Sequence, residues 1–103
     1  MDIKDCIKTI IENEIQKGQL FDSHMIILRL IQGGDTGSYS NAYLEGYRTL
    51  FSNPGTTELY HAKIGKMIGT FEPTLIEKIG QNGQSWSKNI HDKFSSCTAW
   101  RKK

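Results

Sequence analysis

The residues of this chain that could do chemistry fall into a few small groups. Asp35 stands in the run Gly33-Gly34-Asp35-Thr36-Gly37-Ser38. A carboxylate in such a loop does acid-base work when a second carboxylate shares its proton, and one aspartate per chain makes that pair only in a homodimer. The same run ahead of a helix offers backbone amides to an anion. It lacks the Lys-Ser/Thr ending of a phosphate loop, it misses the Gly-x-Gly-x-x-Gly pattern, and Asp35 repels phosphate. Asp22-Ser23-His24 holds every residue type of a hydrolase triad. Adjacent residues at a helix start point in different directions, so they cannot form the relay a triad requires. Capping accounts for Asp22 and Ser23, and His24 reads as a first-turn surface residue. Cys6 and Cys97 lie at opposite ends of the chain, and His24, His61 and His91 are dispersed. No pair of them has zinc-ligand spacing, so neither a metal nor a cofactor is expected, and two free thiols are expected in place of a bridge.

The tetrapeptide Asp35-Thr36-Gly37-Ser38 resembles the active-site motif of the aspartic proteases. The chain is also about as long as a retroviral-type protease subunit, which works as a homodimer. The resemblance implies a catalytic Asp35. It covers four residues. Those proteases are all-β and lead a hydrophobic strand into the aspartate, whereas here Gly33-Gly34 leads in and a helical pattern lies on each side. A polar loop that ends one helix and begins the next explains the same residues.

Composition narrows the class. The chain has 103 residues, 37% of them hydrophobic and 23% charged, which suits a single globular domain spanning 1–103. No apolar run approaches the roughly 20 residues needed to cross a bilayer, and the N-terminus has no secretion-signal pattern; a cytoplasmic protein with no membrane partner is expected. Net charge is +2, too small to demand a nucleic-acid partner. Residues 1–51 carry five Lys or Arg and seven Asp or Glu, and residues 52–103 carry eight and four, so the basic surplus lies in the second half.

The elements that must position these groups are mostly helical. Phe21 to Gln32 reads as a central buried helix, because from Met25 to Ile31 only Arg29 is polar and apolar residues run nearly all round. Asp22 is its cap, Phe21 and Ile26 have the spacing of a hydrophobic staple, and Gly33-Gly34 stop it. Asp2 to Lys17 forms a first helix with Ile3, Cys6, Ile7, Ile10, Ile11 and Ile15 on one face, ended by Gly18. Ser38 or Ser40 caps a third helix running to Phe51, with Tyr39 or Ala42, Tyr43, Tyr47, Leu50 and Phe51 inward; Gly46 within it signals a close approach by a neighbour, since glycine there costs about 1 kcal/mol relative to alanine. Asn53-Pro54-Gly55 is a turn. Thr56 or Thr57 caps a fourth helix with Tyr60, Ile64, Met67, Ile68 and Phe71 inward.

Beyond Pro73 two readings compete. One is a short helix from Pro73 to Ile79. The preferred one is a β-hairpin of Leu75–Gln81 and Gln84–Asn89 around Asn82-Gly83, a strong hairpin dipeptide, which sets Ile79 against Trp86 and Glu77 against Lys88. Ile90 to Ser96 reads as loop, and Thr98-Ala99-Trp100 as a last short strand. The expected fold class is mainly α (α+β): a three- to four-helix core around a buried second helix, with a C-terminal hairpin. That order of helices followed by a β-wing resembles the winged-helix architecture in outline across most of the chain, with the fourth helix in the recognition position. The resemblance implies DNA contact by that helix and the wing.

These readings predict a small non-enzymatic interaction module. In the nucleic-acid version Lys63, Lys66, Trp86, Lys88, Arg101, Lys102 and Lys103 contact phosphate. In the protein version the chain is a homodimer or adaptor that uses exposed Tyr43, Tyr47, Tyr60 and Trp100. The enzyme version is the Asp35 dyad.

Overall fold

The computed structural model describes residues 2–33, 37–50, 57–79, 84–88 and 94–103. Among them the elements run α1 (Ile3–Asn13), β1 (Leu20–Asp22), α2 (Ser23–Gln32), α3 (Ser38–Leu50), α4 (Thr57–Gly69), β2 (Ile76–Lys78), β3 (Gln84–Lys88) and β4 (Phe94–Lys102). The fold is a compact, mainly helical α+β arrangement.

Helix α1 begins where the Asp2 carboxylate accepts the Asp5 amide at 2.8 Å, satisfying one of the orphan donors of the first turn. Its isoleucine face is buried as the three-four spacing requires: Ile3, Cys6, Ile7, Ile10 and Ile11 are all inside. The helix stops at Asn13, earlier than the expected Lys17. The Lys102 ammonium donates to the Glu12 carbonyl at 2.7 Å and the Ile15 carbonyl at 2.6 Å, so a lysine from the far end of the chain satisfies the carbonyls that further turns would have used. The chain then turns through Gly18, at φ +83°, into β1.

Helix α2 has the cap and the stop its sequence signals. Asp22 Oδ1 accepts the Met25 amide at 3.0 Å, and Gly33 closes the helix in the left-handed region, where glycine has no Cβ to clash. Its burial differs from the expectation. Ile26, Ile27 and Leu30 are buried, while Met25, Leu28 and Ile31 are 45%, 47% and 36% exposed. The helix is therefore not surrounded: α1, α3 and α4 pack on one side of it, and its outer side keeps an apolar stripe in water. Phe21, read as the residue before the cap, belongs to strand β1.

Helices α3 and α4 pack through an aromatic cluster. Tyr60 is fully buried with Ile64 and Ile68; its ring lies 4.9 Å from that of Tyr43 and 5.3 Å from that of Tyr47. The Tyr60 hydroxyl donates to the Tyr43 carbonyl, and a Cβ added at Gly46 would sit 2.7 Å from that hydroxyl. The close approach expected at Gly46 is the tip of Tyr60. At the start of α3, Ser40 donates its hydroxyl to the Gly37 carbonyl at 3.0 Å and does not serve as the expected acceptor cap. Asn53-Pro54-Gly55 lies outside the described residues.

The sheet is antiparallel, in the order β1-β4-β2, and β3 also pairs with β4. The expected hairpin is replaced. Residues 76–78 and 84–88 are strands, but both pair with β4: Glu77 faces Arg101, Trp86 faces Ser96 and Lys88 faces Phe94. Asn82-Gly83 lies outside the described residues. A lone two-stranded hairpin is marginal in water. Strand β4 instead carries Trp100 into the core, where it is 1% exposed, stacks on its cross-strand partner Phe21 at 5.8 Å and donates its indole N–H to Glu72 at 2.9 Å. Glu77 still finds a cation, in Arg101. The short strand expected at Thr98–Trp100 is nine residues long and includes 94–96, read from sequence as loop.

Candidate functional site

The basic residues expected to meet phosphate are divided by the fold. Lys63 and Lys66 lie exposed on α4. Trp86 and Lys88 lie on β3. The C-terminal cations are woven into the sheet and the helix ends. Lys102 closes α1 as described, Lys103 donates to the Pro73 carbonyl at 2.8 Å, and Arg101 lies 3.7 Å from Glu77. Backbone bonds bind the same segment, from Gly18 to the Lys102 carbonyl at 2.8 Å and from Lys103 to the Leu75 carbonyl at 2.9 Å. Residues 101–103 are thus tied into the sheet and the helix ends, with Arg101 and Lys103 still exposed.

The aromatic residues expected on a docking surface are not there. Tyr60 and Trp100 are buried, and Tyr43 and Tyr47 are half-buried against the core. Burial drives this, because each ring removes a large apolar area from water while its polar atom finds a partner. Tyr43 shares a 2.8 Å hydrogen bond with His61 Nε2. Burial pushes the Tyr60 and Tyr43 hydroxyls above the ordinary phenol range. Tyr39 is pushed the same way, first by burial and then by its hydrogen bond to Glu14. That bond, at 2.9 Å, is one of three linked contacts: Glu14 also pairs with Arg29, and the Arg29 guanidinium lies 5.6 Å from the Tyr39 ring centre. The set ties the end of α1 to α2 and α3.

Asp35 lies outside the described residues, between α2 and α3. Helices flank it on both sides in a mainly helical chain, where the aspartic-protease resemblance implies strands.

Two features escaped the reading of the sequence. The first is the outer stripe of α2. Met25, Leu28 and Ile31 are each three apart and exposed, so they form one oblique row on the helix surface. The second joins distant residues. The β1–β4 register sets Asp22 opposite Ala99. Cys97 lies two residues further along β4, past the last β1 partner and beside the start of α2. There the Asp22 carboxylate, the His24 imidazole and the Cys97 thiol bring one donor atom each within 4.8 Å of one another. Asp22 is buried, and His24 and Cys97 are half-buried. No local spacing could have revealed this trio, because Cys97 is far from the other two in sequence. Neither Cys6 nor Cys97 forms a disulfide.

Comparison with known proteins finds no matching family model, curated protein or solved structure.

Proposed function

We propose that this chain is a small non-enzymatic interaction module that binds a second copy of itself through the outer stripe of α2. The observation that carries the reading is the row Met25, Leu28 and Ile31, left in water on a helix whose other side is fully packed. A contiguous exposed apolar row marks a contact site. A two-fold pairing presents the same row from both chains, so each aliphatic side chain meets its equivalent. Sedimentation as a function of concentration tests this. The wild-type chain is expected to dimerise and Leu28→Lys to stay monomeric with unchanged helix content; a wild-type chain that is monomeric at high micromolar concentration refutes it.

A nucleic-acid reading rests on Lys63 and Lys66, exposed three residues apart on α4, the helix that precedes the strands as in the winged-helix outline. Strand β3 with the first half of β4 stands in, on this reading, for a wing. On this reading random duplex is retained at low salt and released steeply as salt rises, because each phosphate contact frees counterions. Lys63→Gln/Lys66→Gln shallows the salt slope. No retention at low salt removes the reading. No helix of the described residues is long and apolar enough to cross a membrane.

A further inference from the structure

We infer that Asp22, His24 and Cys97 form a binding site for a divalent transition cation of the zinc class. The donor set is a carboxylate, an imidazole and a thiol, which are the three ligand types zinc takes. In a tetrahedral zinc site the metal–ligand bonds put neighbouring donor atoms about 3.4–3.6 Å apart. The three atoms here all lie within 4.8 Å of one another, so closing on an ion asks for shifts of about 1 Å, within the reach of side-chain torsions.

The fold holds the donors on different elements in a way that suits a ligand set. Asp22 ends β1 and begins α2, His24 is in the first turn of α2, and Cys97 is on β4. The backbone pairing of Asp22 with Ala99 keeps the helix start against that strand before any ion arrives. The cap bond holds Asp22 Oδ1 on the Met25 amide, and a carboxylate oxygen can accept more than one partner. The bond from the Met25 amide then orients the ligand, as outer contacts do at metal sites.

Charge must also be accounted for. The site lies at the N-terminal, positive end of α2, which disfavours a cation. Coordination of Cys97 releases its thiol proton to solvent and leaves a thiolate. The thiolate and the Asp22 carboxylate together match the two positive charges of the ion, and the helix end favours both anions. The described residues supply three donors, and a tetrahedral zinc ion takes a fourth.

Titration of the full chain with zinc chloride, and with cobalt(II) as a spectroscopic probe, tests the site. The expected result is one zinc per chain with a dissociation constant below about 1 μM, and a cobalt complex with a thiolate-to-metal charge-transfer band in the near ultraviolet. Cys97→Ser is expected to abolish the band, and His24→Gln and Asp22→Asn to weaken zinc by at least about tenfold. Asp22→Asn keeps a capping side chain, and circular dichroism of each variant separates lost binding from lost folding. Binding weaker than about 1 μM in the wild type, or a cobalt band that survives Cys97→Ser in a folded protein, overturns the inference.

Discussion

Replacing Gly46 by alanine sets two effects of known size against each other. In the middle of an exposed helix the change is worth up to about 1 kcal/mol in favour of folding, because glycine has more conformational freedom to lose. Here the new Cβ would stand 2.7 Å from the Tyr60 hydroxyl and 3.4 Å from two carbons of Ile3. Tyr60 cannot swing aside, because its ring is fully buried between Tyr43 and Tyr47 and its hydroxyl is bonded to the Tyr43 carbonyl. Overpacking of this kind costs about 1–3 kcal/mol, and displacing the hydroxyl forfeits a hydrogen bond of about 1 kcal/mol. The net expectation for Gly46→Ala is a loss of about 1–3 kcal/mol, lowering Tm by roughly 4–24 °C for a chain of this size. Thermal and urea unfolding followed by circular dichroism measure it. The cycle with Tyr60→Phe isolates the cause. Without the hydroxyl the clash is gone, so Gly46→Ala in that background is expected to be neutral or mildly stabilising, a coupling of about 2 kcal/mol. If Gly46→Ala alone raises stability, or the two changes add, the reasoning about Tyr60 fails.

Other outcomes follow from the same packing. Trp100→Ala removes the largest fully buried side chain among the described residues, with its stack on Phe21 and its bond to Glu72; urea unfolding should show a loss of about 3–5 kcal/mol, and a loss below 1 kcal/mol contradicts the assigned core. Lys102→Met keeps the apolar stem but removes the donor to the Glu12 and Ile15 carbonyls, so it should cost about 1–2 kcal/mol, and duplex binding, if present, should not change. The tyrosine hydroxyls Tyr39, Tyr43 and Tyr60 ionise above their ordinary value in the folded chain. The folded state therefore holds protons that the unfolded chain has already lost. Stability is full below about pH 10, the unfolded phenol value, and falls as pH rises past it. Near-ultraviolet absorbance should show these three phenols ionising late and together with unfolding, whereas their ordinary titration in folded protein counts against their burial.

Much of the helical half was legible from local chemistry. The face Ile3, Cys6, Ile7, Ile10 and Ile11 follows from three-four spacing, which puts side chains on one side of any helix. Asp22 and Gly33 bound α2 because a short acceptor side chain and a residue without Cβ act within one turn of where they stand. Gly46 was readable as a close approach, since glycine inside a helix is a local cost that needs a reason elsewhere. Periodicity could not say how many neighbours α2 has. Met25, Leu28 and Ile31 are as apolar as Ile26, Ile27 and Leu30, and only the placement of α1, α3 and α4 left one row dry and the other wet.

The β half shows the opposite case. Strand segments near 76–78 and 84–88 were visible, yet their partner was not. Pairing is decided by which alignment buries the most, and β4 with Trp100 offered more than the two segments offered each other. The same non-local step turned Lys102 from a tail cation into the closing group of α1, and it carried Cys97 to the side of Asp22 and His24. Helix boundaries and faces are set by neighbours in sequence, so the chain itself determined them. Strand partners, exposed faces and the donor cluster depend on residues that meet only after folding, so the tertiary structure alone decided them.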